Sequence, residues 1–201
     1  MKKKSIQEQY CQNLFSRVRK GYVVKKETKA KIFEFVLSYL KSNDVEHLNF
    51  SLISKKTGIS RTTIYSYYEH IKELLEDIIA DYMIPLEKTI KKHAKNIHDV
   101  FSCYENDKKI LEFIFQNRHF FLVEEKMKHN KQMPDFVDDM TRRMTETIVN
   151  QTKKEYIEQY YFMGLTNIFT SWKNEGFNYA GLDRCAKAMT FYTYSVLKEK
   201  S

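Results

Sequence analysis

A chain of 201 residues, 42% of them hydrophobic, is long enough to form one or two domains with buried cores. Two Pro and five Gly provide too few turn residues for a sheet of short strands, so the composition predicts an all-α fold. No apolar run reaches the roughly 18 residues that a membrane-spanning helix needs, and we expect no membrane partner. Cys11, Cys103 and Cys185 are odd in number and widely spaced, which favours a reducing compartment over a disulfide framework. The basic start lacks the apolar segment of a signal peptide, so we expect a cytoplasmic protein.

The formal net charge of +8 is not spread evenly along the chain. Residues 1–70 hold 14 Lys or Arg and 6 Asp or Glu, whereas the remaining residues hold 20 of each class. A basic segment beside a neutral one indicates a polyanionic partner for the first segment and a different role for the second. The alternative is that the excess positive charge serves only solubility.

Residues 1–24 are predicted to form a basic N-terminal extension. Its apolar residues recur every four positions, at Ile6, Tyr10, Leu14 and Val18, as in a short amphipathic helix. Two interpretations remain open. The extension is either an arm that contacts DNA, or a helix or frayed terminus that packs on the domain after it.

Residues 25–70 are predicted to form a helix-turn-helix domain with three helices. The first covers about 25–41 and carries one apolar face. Asn49 is placed to cap the second helix, and Gly58 is placed to end it with a positive φ angle. Ser60 is placed to cap the third helix.

The third helix of this segment has two faces with different chemistry. Ile64 and Tyr68 lie four residues apart and are expected to face inward. The pair of helices is either a reader of the DNA major groove or an ordinary helical hairpin with a polar face. The side chains left on the outward face are Arg61, Thr62, Thr63, Tyr65 and Ser66.

Residues 71–201 are predicted to form a second helical domain. A long helix covers about 71–95, and Pro85 is expected to kink or interrupt it. Breaks are predicted at Asp107, at Pro134 and from Gly176 to Gly181. The further helices are predicted at about 97–105, 107–117, 118–129, 134–151, 153–175 and 180–199.

Residues 29 to about 83 resemble the N-terminal DNA-binding domain of the TetR family of bacterial repressors. The similar motifs are Gly58-Ile59-Ser60, Ile64-Tyr65, Tyr68 and Leu74-Leu75, in the family's order and spacing. A segment from Phe162 through Trp172 to Gly176 is similar to the pattern on the penultimate helix of many members. The resemblance implies a dimeric, sequence-specific DNA-binding transcriptional regulator, a repressor that a small apolar or aromatic ligand releases.

The resemblance also implies roles for individual residues. Thr63 and Tyr65 fall where the family contacts phosphates and base edges, and Arg61 and Thr62 fall at sequence-reading positions. Ile71 departs from the family, which has a phosphate-binding Lys there, so one backbone contact is missing unless the basic extension replaces it. The candidate DNA-binding residues are Ser51, Ser60, Arg61, Thr62, Thr63, Tyr65, Ser66, Tyr67 and Lys72.

For the second domain the resemblance implies dimerisation and ligand binding. Two helices, 153–175 and 180–199, would form the homodimer interface, and the dimer would bind a palindromic operator in double-stranded DNA. Aromatic residues are dense here, which suits either an apolar inducer cavity or an ordinary core and interface. The candidate ligand-binding residues are Phe113, Phe120, Tyr160 and Met163.

Enzymatic chemistry finds little support in the sequence. No phosphate-binding loop or nucleophile elbow occurs, and the six histidines lack the spacing of a metalloprotease helix. We expect no enzyme activity, no cofactor and no metal site. The alternatives to a ligand-responsive repressor are a constitutive or architectural DNA-binding protein of the same fold, and a helical enzyme or protein-binding module.

Overall fold

The computed structural model describes residues 26–94, 100–127, 137–146 without 139 and 143, and 158–198. Every regular element in these ranges is helical, which confirms the predicted all-α fold. The labelled helices are α1 (Lys26–Leu40), α2 (Phe50–Thr57), α3 (Arg61–Tyr65), α4 (Ile71–Ala94), α5 (Val100–Gln116), α6 (Arg118–Phe121), α7 (Glu158–Asn174) and α8 (Tyr179–Lys198). Single 3-10 turns cover Val45–His47 and Glu124–Met127, and residues 137–138, 140–142 and 144–146 are also helical.

The chain forms two compact units, and the boundary between them falls between Asp81 and Tyr82, inside α4. The first unit therefore contains α1, α2, α3 and the start of α4, and the second contains the rest of α4 with α5 to α8.

None of the helices in the described ranges combines the length and the apolar composition that crossing a lipid bilayer requires.

The core of the first unit is built from aliphatic side chains that recur at helical spacing. Ile32, Val36 and Leu40 of α1 are fully buried, as the sequence pattern predicts for that face. Each of the other helices adds residues with no solvent exposure, namely Ile53, Ile64, Leu74, Leu75 and Ile78. These contributions from four helices hold the short α2 and α3 in place.

Pro85 does not interrupt α4, which is one continuous helix of 24 residues with Pro85 inside it. Of the two predicted effects of Pro85, a kink or an interruption of this helix, the continuity of α4 excludes the interruption. Leu86 and Ile90 follow the proline and are buried, so the helix keeps an apolar face beyond it. Packing of that face stabilises the helix against the loss of one backbone donor.

In the second unit α5 packs along α8, and α8 also packs against α7. Two glycines mark close helix contacts, since a Cβ on Gly164 would lie 2.6 Å from the Tyr192 ring, and one on Gly181 would lie 2.6 Å from the Trp172 ring. The predicted break between α7 and α8 is confirmed: Gly176 has φ +73° and closes α7.

The predicted break at Asp107 was wrong, because α5 continues through this residue. Asp107 is instead a buried carboxyl group in the middle of a helix. Its Oδ2 atom accepts hydrogen bonds from the Thr190 hydroxyl at 3.1 Å and from the Cys103 thiol at 3.6 Å. Burial raises the pKa of Asp107 to about 7.

Candidate nucleic-acid interface

The turn between α2 and α3 is set by three local interactions that the sequence predicts. The Asn49 side chain accepts a hydrogen bond from the Leu52 amide at 2.9 Å and caps α2. Gly58 adopts φ +73° and donates its N–H to the Ser54 carbonyl, which ends α2. Ser60 caps α3 by accepting the Thr63 amide at 3.1 Å. All three predicted caps are thus confirmed.

Helix α3 turns an apolar face inward and a polar face to solvent. Ile64 is fully buried and Tyr68, three residues beyond the helix, is 5% exposed, as predicted. Arg61, Thr62 and Ser66 are exposed, so their side chains are available to a ligand on the outside. A helix of five residues that offers a guanidinium and hydroxyl groups has the chemistry needed to bond to base edges and phosphates.

Tyr65 is 57% exposed, and its ring contacts Phe50 edge-on at 5.1 Å between ring centroids. Because Phe50 is buried at the start of α2, this contact fixes the ring while the side chain keeps an accessible surface. The spacing of the two residues along the chain gives no signal for the contact, and sequence reasoning missed it.

The two hydroxyl groups nearest the start of α3 are already engaged with each other. Ser60 Oγ and Thr63 Oγ1 lie 2.8 Å apart, and Thr63 is half-buried. The Ser66 hydroxyl donates to the Thr63 carbonyl at 2.7 Å and caps the end of the helix. Ser60, Thr63 and Ser66 therefore shape the helix, and any contact with DNA would share hydroxyl groups that already form these bonds.

The remaining candidate residues surround α3. Ser51 lies exposed in the first turn of α2, Tyr67 is half-buried, and Lys72 is exposed with its Nζ 4.0 Å from Glu76 Oε1. Ile71 is half-buried at the start of α4, where the family resemblance leads one to expect a lysine. Two further cations, Lys55 and Lys56 in the last turn of α2, are exposed and are not among the residues predicted from the sequence.

A polar contact between distant residues was also missed. The Tyr68 hydroxyl donates to Asp77 Oδ2 at 2.7 Å, and Lys29 Nζ lies 3.1 Å from Asp77 Oδ1. Tyr68 follows α3, Asp77 belongs to α4 and Lys29 to α1, so one carboxylate joins three segments of the first unit. Sequence spacing gives no signal for such a contact, since Lys29 and Asp77 are 48 residues apart.

The four candidate ligand-binding residues occupy two different environments in the second unit. Phe120 is fully buried and stacks on Tyr82 at 4.4 Å between ring centroids, and Phe113 is half-buried. Both rings contact Phe121. Tyr160 and Met163 are instead exposed on α7. The contacts of the described residues therefore group Phe113 with Phe120 and leave the other two on the surface.

The predicted extension, residues 1–24, lies outside the described residues. Residues 128–136 and 147–157 lie outside them too, and these include parts of the helices predicted at 118–129, 134–151 and 153–175. Within the described ranges no group of three or more His, Cys, Asp or Glu side chains is arranged to hold a metal ion.

The chain is 28% identical over 112 residues to a protein of Bacillus subtilis (strain 168) described as an uncharacterized HTH-type transcriptional regulator, YxbF. The aligned segment covers 50% of this chain and 27% of the relative, so the match spans about a quarter of the relative's length. No protein-family model matches the chain. No solved structure matches it either. The similarity links the chain to a helix-turn-helix regulator through distant homology.

Proposed function

We propose that this protein is a dimeric, sequence-specific DNA-binding transcriptional regulator of the TetR type, and that it represses transcription until a small apolar or aromatic ligand binds. The observation that carries the proposal is the capped α2–turn–α3 pair, which presents Arg61, Thr62 and Tyr65 on one outward face. The homology to a helix-turn-helix regulator supports the same interpretation. Helices of this kind read sequence by placing such side chains in the major groove.

The charge of the first unit suits a nucleic-acid partner. Four exposed cations of this unit, Lys55, Lys56, Arg61 and Lys72, belong to α2, α3 and the first turn of α4. Arg61 suits a bidentate contact with guanine, because two of its N–H groups match the O6 and N7 acceptors. The lysines suit phosphates, which position a protein on DNA without reading sequence.

Dimerisation of the regulator would use α7 and α8. Four large apolar side chains of these helices are exposed, namely Tyr160, Met163, Tyr179 and Phe191. Tyr160 and Phe191 both contact the ring of Tyr192, at 5.9 and 6.0 Å between centroids, so two of the four residues lie around one tyrosine. Exposed aromatic clusters of this kind favour association. Two copies of α3 would then read a palindrome.

Ligand control would act through α4. Tyr82 of α4 stacks on Phe120, and Phe120 contacts Phe121 at 5.0 Å between ring centroids. A ligand that inserts among these rings would displace part of α4, which begins in the first unit. In a dimer, such a displacement would alter the spacing of the two recognition helices and favour a state that does not bind DNA.

A constitutive or architectural DNA-binding protein of the same fold is the second candidate. The observation that favours it is the close packing of this aromatic cluster, since Phe120 and Phe121 have no solvent exposure. A filled core of this kind needs no ligand for its stability.

Selection from a pool of randomised duplexes tests the DNA-binding function. We expect the purified full chain to enrich two inverted half-sites whose centres lie about 10 base pairs, one helical turn, apart. The matched control is the double variant Arg61→Ala, Tyr65→Ala, which changes only exposed side chains of α3. Equal enrichment by the variant, or no enrichment by the natural chain, would contradict the proposal.

Thermal unfolding in the presence of small apolar and aromatic compounds separates the two candidates. An inducible repressor should gain stability from at least one compound and lose affinity for the selected duplex in its presence, because the ligand binds one state better than the other. A constitutive protein should show neither effect.

A further inference from the structure

Three segments of the first unit meet at a small polar cluster beside the recognition helix. The Tyr68 hydroxyl donates to Asp77 Oδ2 at 2.7 Å, and Lys29 Nζ lies 3.1 Å from Asp77 Oδ1 and 3.3 Å from Asp81 Oδ1. We call these four residues the Tyr68–Asp77 clamp. It joins the end of the α3 segment to α4 and to the first turn of α1.

The Tyr68, Asp77 and Lys29 side chains of the clamp are largely shielded from water, whereas the Asp81 side chain is 53% exposed. Tyr68 is buried, and the side chains of Lys29 and Asp77 are 26% and 24% exposed. Burial, and then the charge of Asp77, raise the pKa of Tyr68, so its hydroxyl stays protonated and acts as a donor. Lys29 also lies over the Phe33 ring, 4.9 Å from its centroid, which fixes the ammonium between an aromatic face and two carboxylates.

Helix α3 needs such a support because it is very short. It has five residues, and within it only Ile64 is buried. The backbone beyond it turns back on the same residue, since the amides of Tyr67 and Tyr68 both donate to the Ile64 carbonyl at 3.0 Å. Any rotation of α3 about its axis would therefore move Tyr68, whose hydroxyl is held at Asp77.

We propose that the Tyr68–Asp77 clamp positions the recognition helix, and that the Tyr68 hydroxyl sets specific DNA affinity without contacting DNA. The inference rests on the proposed DNA-binding function. Its physical basis is preorganisation: a binding group held rigidly before contact loses less conformational freedom on binding. The Phe50 contact with Tyr65 supports the start of α3, and the clamp supports its end.

The first test uses the free protein and the variant Tyr68→Phe, which keeps the buried ring and removes only the hydroxyl. We expect the amides of Ser66, Tyr67 and Tyr68 to exchange with deuterium about tenfold faster, because a hydrogen bond to a charged group is lost. The amides of Ile53 and Gly58, which bond within the α2 segment, should keep their rates. The matched control is Tyr39→Phe, a half-buried tyrosine of α1 outside the clamp.

The second test measures affinity for the selected duplex and for a shuffled duplex of the same length. Tyr68→Phe should weaken binding to the selected duplex roughly tenfold and leave the shuffled duplex within about twofold, because phosphate contacts alone bind the latter. Asp77→Asn should have a similar effect. The double variant Tyr68→Phe, Asp77→Asn should lose no more affinity for the selected duplex than the weaker-binding single variant. Both substitutions act on the same Tyr68–Asp77 interaction, so their effects should not add.

The outcomes separate the clamp from the function on which it rests. Faster exchange limited to residues 66–68, with a loss confined to the selected duplex, supports the clamp. Unchanged exchange, faster exchange across α1 and α2 as well, or unchanged affinity for the selected duplex would overturn it. If the natural chain selects no duplex, the proposed function is wrong, and the exchange experiment alone decides whether the hydroxyl positions α3.

Discussion

Arg61 is the exposed residue whose chemistry most directly suits sequence reading. It opens α3, and the Ser60 cap fixes the backbone before it. An exposed arginine at this position is free to reach a groove, whereas the hydroxyl groups of Ser60, Thr63 and Ser66 already bond within the protein. If this face reads bases, as proposed, the guanidinium should contribute more to the readout than these hydroxyl groups.

Replacing Arg61 by Ala should weaken binding to the selected duplex by ~1–3 kcal/mol and relax the preference at one base pair of each half-site. Competition binding with a set of single-base variants of the duplex measures both effects. Lys109→Ala, which removes an exposed cation of the second unit, is the control. An equal loss for all duplexes would show that Arg61 contacts phosphate instead of a base.

Asp107 makes the stability of the second unit depend on pH. Its pKa is raised by burial from 3.8 to about 7, so between these values the folded state binds a proton that the unfolded state has released. The stability that this bound proton contributes to the folded state is therefore fully present at low pH, and it is lost as the pH rises from about 4 to about 7. The loss is at most on the order of 4 kcal/mol, since one pKa unit corresponds to about 1.4 kcal/mol.

Asp107→Asn should abolish this loss, because the amide keeps the shape of the side chain and does not titrate in this range. We expect the variant to be more stable than the natural chain at pH 8. Trp172 is the single tryptophan of the chain and lies buried in α7, so its fluorescence during urea unfolding reports on the second unit. Asp183→Asn, at an exposed carboxylate whose pKa is lowered by a hydrogen bond with Lys187, should keep the decline. A natural chain equally stable at pH 5 and pH 8 would contradict this account.

At the scale of the element, the α2–turn–α3 pair depends on one glycine. Gly58 has φ +73°, a conformation that costs residues with a side chain about 1–2 kcal/mol. A Cβ placed there would meet no atom within 4 Å, so backbone conformation is the only penalty. The turn thus fixes the angle at which α3 leaves α2 through a local property of a single residue.

Gly58→Ala should destabilise the first unit by ~1–2 kcal/mol, and Gly58→Asn should recover part of this loss, because Asn tolerates the left-handed conformation better. Hydrogen exchange at the amides of Ile53 and Ile64, which bond within the α2 and α3 segments, measures the change. Trp172 fluorescence should report unchanged stability of the second unit. Identical exchange in the Ala variant and the natural chain would show that the turn is not strained.

For the whole molecule, the exposed aromatic residues of α7 and α8 are the basis of the proposed dimer. Phe191 is 69% exposed on α8, and Phe101 is 70% exposed on α5. The two phenylalanines therefore differ in position and not in exposure, which makes them a matched pair for testing which surface self-associates.

Phe191→Glu should weaken the dimer at least ~30-fold, as expected for an interface residue worth about 2 kcal/mol, because it places a charge in an apolar contact. Phe101→Glu should leave it unchanged. Sedimentation equilibrium over a range of concentrations measures both dissociation constants. A natural chain that is monomeric at micromolar concentration, or a larger effect of Phe101→Glu, would contradict an interface on α7 and α8.

The basic extension gives a further prediction at this scale. Deleting residues 1–20 removes six Lys or Arg residues and one Glu. If these cations bind phosphates and replace the lysine absent at Ile71, the deletion should weaken binding to the selected duplex and flatten the dependence of affinity on salt. Titrations at three salt concentrations measure the slope. An unchanged slope would show that the extension does not contact DNA.

The sequence by itself determined the features that arise within a few residues. The all-α fold follows from scarce Gly and Pro, and the caps at Asn49 and Ser60 follow from side chains that bond amides three residues ahead. The turn at Gly58 and the burial of Ile64 and Tyr68 also follow from residues close together in the sequence. Their spacing along the chain is enough to predict their roles, because helical geometry repeats every 3.6 residues.

Only the tertiary structure decided which distant groups meet. Asp107 has the polarity of a helix break, yet it lies inside α5, where Thr190, 83 residues away, donates a hydrogen bond to its carboxyl group. In the same way, Lys29 of α1 and Asp77 of α4 meet beside Tyr68, just beyond the end of α3. Such contacts depend on which helix faces pack together, and no periodicity in the chain encodes that choice.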